Sequence, residues 1–113
     1  MSEPIPPELL GGWRLIAMEE LEGARGVAFF HVGMISVHIH APGAPRRELR
    51  NIAYFGFFTV HGVDRTGETV RGELQLQLEG GFPVEVLDGD VPRSFEVAGD
   101  TLVLGSSTFE RIH

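Results

Sequence analysis

The sequence predicts an all-β fold, an eight-stranded antiparallel up-and-down β-barrel, and three observations predict it. Apolar and polar residues alternate with a period of two almost throughout, turn signals recur at nearly regular spacing, and the chain is short. Eight consecutive strands in an open sheet would leave two long edges exposed to aggregation, and closing the sheet removes them. A two-sheet sandwich would need Greek-key crossings longer than most of these connections.

The opening segment PPELLG is the one helical candidate, a turn or so that starts after Pro6 and ends at Gly11. A first strand carries Trp13 within LLGGWRLIAMEE. GVAFFHV (26–32), GMISVHIH (33–40) and NIAYFGFFTVH (51–61) are rich in β-branched and aromatic residues and read as three more strands. TVRGELQLQLE (69–79) gives the clearest pattern, setting Val70, Gly72, Leu74, Leu76 and Leu78 against Arg71, Glu73, Gln75, Gln77 and Glu79. VPRSFEV (91–97), DTLVLG (100–105) and STFERI (107–112) complete the eight. Turns fall at Glu22-Gly23, Val32-Gly33, Ala41 to Pro45, His61 to Gly67, Gly80-Gly81, Asp88-Gly89, Ala98 to Asp100 and Gly105-Ser106.

With 113 residues the chain is expected to form one domain, 1–113. A hydrophobic content of 42% and a charged content of 22% fit a globular protein and argue against disorder. No apolar run approaches the roughly 18 to 20 residues that cross a bilayer as a helix, so no membrane insertion is expected. The N-terminus lacks the basic and apolar segments of a signal peptide, and the sequence has no cysteine; the expected location is the cytoplasm. Sixteen acidic residues against nine basic ones give a net charge of -7, which argues against nucleic acid as a partner. The one basic cluster, Arg46, Arg47 and Arg50 in PRRELR, reads as a solvated loop or an anion-binding lid.

Several stretches in order resemble the bacterial lipocalin-like domain family: GGWRL (11–15), GMISV (33–37), IAYFGFFTV (52–60), TV (69–70), FP (82–83), PRSFEVAGDTLVL (92–104) and FER (109–111). The resemblance covers residues 9–112 and implies an eight-stranded barrel around an apolar pocket. Relatives of that architecture act as ligand carriers or as cyclases of natural-product biosynthesis. It further implies that Trp13 plugs the closed end of the barrel with Arg111 of the last strand over its ring. The chain departs from the pattern at Gly72, where a histidine is usual on the fifth strand, and at Phe57, which replaces a polar residue.

Tyr54, Phe58 and Val60 share one face of the fourth strand with Gly56 between them, and the resemblance places the tyrosine inside. On that reading Gly56 leaves room beside two rings for a flat apolar guest. Phe30, Val37, Leu74 and Phe95 complete the expected lining. Arg93 alternates with Phe95 and Val97 on the apolar face of its strand, so it is a candidate anchor for a carboxylate, enolate or phenolate; Glu19, in phase with Trp13, is its alternative partner.

His38 and His40 sit at a spacing that strand metal sites use, but two ligands do not make a site. Ile35, Val37 and Ile39 are the better inward set, and no metal is expected. If the strand were turned over, His38 would be a candidate acid or base; Tyr54, Arg93 and Glu19 are the others. No phosphate-cradling motif is present and no cofactor is expected. The expected function is binding of a small, mostly apolar molecule inside the barrel, and the alternative is a cofactor-free cyclase or isomerase in the same cavity. Phe55 and Phe57 point the other way from Tyr54 and, with Phe29, predict a homodimer through the barrel wall.

Overall fold

The computed structural model describes residues 3–19, 21–82 and 91–112. Strands β1 (Gly11–Met18), β2 (Arg25–His31), β3 (Met34–His40), β4 (Asn51–Thr66), β5 (Thr69–Phe82), β6 (Val91–Ala98), β7 (Thr101–Leu104) and β8 (Ser107–Arg111) form a closed barrel in sequence order. Each strand pairs antiparallel with the next, and β1 pairs with β8 to close it. The expected turn after Pro6 is a 3-10 turn over Pro7–Leu9. No described helix is long and apolar enough to cross a membrane.

Alternation decides what enters the core. Trp13 and Leu15 of β1, Ala28 and Phe30 of β2, and Ile35, Val37 and Ile39 of β3 are buried. So are Phe58 and Val60 of β4, Val70, Leu74 and Leu76 of β5, Phe95 and Val97 of β6, Leu102 and Leu104 of β7 and Phe109 of β8. Phe30 and Phe58 meet edge to face at 5.6 Å inside the barrel, the geometry that ring quadrupoles favour. At one end Leu21 and Ala24 of the β1–β2 turn, with Ala41 and Ala44 of the β3–β4 connection, join this core and cover part of the opening.

Four expectations need correction. A bulge between Leu15 and Ala17 shifts the phase of β1, so Met18 packs against the core while Ala17 and Glu19 are exposed; Glu19 is not in phase with Trp13. Residues 61–67 are not one long turn, because β4 runs to Thr66 through a second bulge between His61 and Asp64 and the chain reverses at Gly67-Glu68. Gly80 and Gly81 lie within β5, opposite Phe55 and Tyr54. The expected turn at Asp88-Gly89 lies outside the described residues.

Gly56 is buried but does not border a void. A Cβ there would stand 2.3 Å from the Gln77 carbonyl oxygen and 2.7 Å from the Leu78 Cα, because a bulge between Phe55 and Gly56 brings β4 and β5 backbones together. The glycine serves a bend in the sheet and leaves no room for a guest.

The 3-10 turn is tied to the far end of β4. Glu8 accepts hydrogen bonds from both terminal nitrogens of Arg65, one at 3.0 Å, and Glu3 accepts from the backbone N–H groups of Gly62 and Val63. The Arg65 bond, then Glu8's own backbone N–H, holds the Glu8 carboxyl down at about 2. A depressed folded value means that the pair stabilises the fold above the ordinary carboxyl range and that this contribution is lost as pH falls towards 2. Both partners are substantially solvated, so the effect on global stability is small.

Two outcomes follow. Gly56→Ala lowers the unfolding free energy in urea by roughly 2 kcal/mol or more, because backbone must move to admit the methyl; a neutral result would restore the void. In an NMR titration the Glu8 carboxyl shows a midpoint near 2, and Arg65→Gln moves it up towards 4.5.

Candidate functional site

The two ends of the barrel are chemically different. At one end Trp13 is fully buried, and its indole N–H donates to the Leu9 carbonyl at 2.9 Å, so the 3-10 turn satisfies the ring's one polar group. The Arg111 guanidinium lies 4.2 Å from the centroid of the Trp13 ring. It also donates to the carbonyls of Glu8 at 2.7 Å and Leu10 at 3.2 Å, and its Nε is 3.4 Å from Asp100. Trp13 and Arg111 face each other across the β1–β8 seam, which is why this stack forms. Indole, guanidinium and helical turn together stopper this end, and the cation keeps solvent contact at the rim.

The other end carries the polar residues expected of a binding site. Tyr54 points inward from β4, partly buried, with Val37 across β3 on one side and Gly81 of β5 on the other. Arg93 has the inward phase of Phe95 and Val97 but is exposed, because it lies near the start of β6, beyond the core. A Cβ on Gly105 would stand 3.7 Å from the Arg93 Cδ, which places the Arg93 stem beside the β7–β8 turn. Burial pushes the Tyr54 phenol up from its ordinary value, and the positive charge of Arg93 acts in the opposite direction. The hydroxyl therefore stays protonated at neutral pH, where it can donate to an oxygen anion as well as accept. β4 and β6 are not neighbours, so only closure of the barrel brings these two side chains into electrostatic reach.

Phe30, Val37, Phe58, Leu74 and Phe95 are all buried in the core beneath them. Phe95 accounts for Gly72, since a Cβ at residue 72 would meet the Phe95 ring at 3.0 Å and the His61 carbonyl oxygen at 3.0 Å. The aromatic ring fills the space that a larger residue on β5 would take. Glu19 is exposed near the β7–β8 turn, where its N–H bonds the Ser106 carbonyl at 3.3 Å. His38 and His40 point outward from β3, as the phase of Ile35, Val37 and Ile39 requires, so neither serves as an acid or base inside the barrel. Among the described residues no three His, Asp or Glu side chains come together as a metal site would need.

Sequence reasoning passed over other apolar residues at this end. Ile52, Leu78 and Met18 pack against the core at the same end as Tyr54, and Leu21, Ala24, Ala41 and Ala44 cover it. The alternation of β4 and β5 already marked Ile52 and Leu78 as inward, whereas the loop alanines carry no periodic signal. Compared with protein-family models, curated proteins and solved structures, the chain matches none.

Proposed function

We propose that the protein binds a small, mostly apolar molecule bearing one acidic or carbonyl oxygen at the open end of the barrel. The observation that carries this reading is that Arg93 of β6, its stem beside the β7–β8 turn, stands within electrostatic reach of Tyr54 of β4, which packs against the apolar core. A phenol donor and a guanidinium at one end of the barrel suit an oxygen anion, and charge-assisted hydrogen bonds are the stronger kind. The apolar part of the ligand then lies against the core side chains at this end, where removal from water favours it. Ligand carriage is also one of the two roles, beside cyclase, that the lipocalin-like resemblance implies.

We further infer that the protein acts as a homodimer through the outer wall of β2 to β4. Phe29 is 41%, Phe55 53% and Phe57 47% exposed, and Met34 beside Phe57 is 50% exposed. The Phe55 ring lies over Gly80 and the Phe29 ring over Gly12, so the aromatic surface continues across the strands on either side. Monomers seldom leave an apolar patch of this kind in water, and a second copy would present the same surface under two-fold symmetry.

Native mass spectrometry of the protein purified without added ligand should detect a co-purifying small molecule. Arg93→Ala should weaken its binding by about 1.5 to 3 kcal/mol, the scale of a hydrogen bond to a charged group. Unchanged affinity in that variant removes the anchor. Sedimentation at micromolar concentration should show a dimer that Phe57→Glu converts to monomer; a wild-type chain already monomeric under those conditions refutes the dimer.

A further inference from the structure

Side chains that point out of the barrel fall in cross-strand rows, and two of these rows build a groove. Arg25, His40 and Asn51 are partners across β2, β3 and β4. In the next row Arg14, Val27, His38 and Ala53 are partners across β1 to β4. Gly26 lies between the rows, and a Cβ there would stand 2.2 Å from the His38 carbonyl oxygen, so β2 and β3 approach closely where the wall bends. The result is an open concavity of about 850 Å³ lined by the outward Ile16, Val27 and Ala53 and reaching down to the core residues Leu15, Ala24, Ile39 and Ile52.

Its charge runs against that of the whole chain. With sixteen acidic and nine basic residues the protein is strongly anionic, yet the groove is lined by Arg14, Arg25, His38 and His40 and by no carboxylate. Arg14 is shared with Glu110 of β8, whereas Arg25 forms no ion pair among the described residues. His40 Nδ1 lies 3.0 Å from the Asn51 Oδ1; with the ring N–H donating to that oxygen, the amide N–H groups are left as donors in the same row as Arg25, on the far side of His40. The connection carrying Arg46, Arg47 and Arg50 leaves β3 and enters β4 at the end of this row, where the Ala41 N–H bonds the Arg50 carbonyl at 2.8 Å. The concavity around Arg71 differs, because Glu73, Glu96 and Asp64 also line it and Arg71 pairs with Glu96.

We propose that this outer groove is a second binding site, distinct from the barrel opening, for a flat amphipathic monoanion of the aryl carboxylate class. Its ring lies along the row Val27, His38 and Ala53, stacked on the imidazole, and its carboxylate meets Arg25 and the Asn51 amide. Flatness follows from the flat imidazole of His38 between Val27 and Ala53, and a single charge follows from Arg25, the lining guanidinium with no ion pair among the described residues. Ala24 and Ile52 at the barrel end also line the groove, but Tyr54 and Arg93 are not among its lining residues.

The test is an amide NMR titration of the full chain with 2-naphthoate. Saturable shifts are expected at Arg25, Gly26, Val27, His38 and His40, and they should persist in Arg93→Ala. Arg25→Glu should weaken the affinity about ten-fold or more, the scale of one charge-assisted bond, and neutral 2-naphthamide should bind correspondingly less well. Arg25 is exposed, so a dispersed spectrum of the variant would verify its fold. Shifts confined to the surroundings of Tyr54 and Arg93, no saturable shift at all, unchanged affinity in Arg25→Glu, or equal affinity for the neutral amide would each overturn the groove. Loss of the opening as a site, by contrast, would be read from Arg93→Ala and leaves these shifts in place.

Discussion

The pairing of β1 with β8 is the constraint on which the rest of the molecule depends. Seven hairpins in sequence order can form an open sheet, but only the eighth contact joins the ends of the chain and gives every strand an inside and an outside. At that seam Trp13 stands opposite Arg111, and the stack they form carries the 3-10 turn across the end of the barrel through three carbonyl bonds. One register choice therefore closes the sheet, buries the indole, gives its N–H an acceptor and holds the N-terminal segment.

Closure also requires sharp bends, and the glycines within strands supply them. At Gly26 and Gly56 the neighbouring backbone occupies the place of a Cβ, so these positions bring strands together and do not hollow out the interior. Phe95 over Gly72 follows a related logic, with a ring from one strand covering the bare backbone of the next. Volume that the sequence pattern assigns to a ligand is taken up by the protein itself at these points. The polar side chains of inward phase accordingly stand towards the rim, Tyr54 partly buried against the core and Arg93 exposed.

Because a strand alternates, each residue placed inside commits its neighbour to the outside. Burial of Ile35, Val37 and Ile39 turns His38 and His40 outward, and burial of Phe58 and Val60 turns Phe57 and Thr59 outward. The outer wall of β1 to β4 thereby divides into an aromatic band and a cationic groove on the same strands. A small domain with one core can in this way carry more than one kind of surface without further elements.

The sequence by itself determined the class of fold and the two alternating faces of most strands, with Ile35, Val37 and Ile39 the better inward set of β3, because these follow from period-two alternation and turn chemistry, which are local. It did not determine where alternation breaks. The bulges after Leu15 and Phe55 are compensations for closing and bending the sheet, so Glu19 lost its phase and Gly56 its expected void for reasons that lie on partner strands. Nor could spacing reveal that Tyr54 and Arg93 lie within electrostatic reach, or that Arg25, His40 and Asn51 share a row. Those groupings depend on shear and closure, and they exist only once the strands are laid side by side.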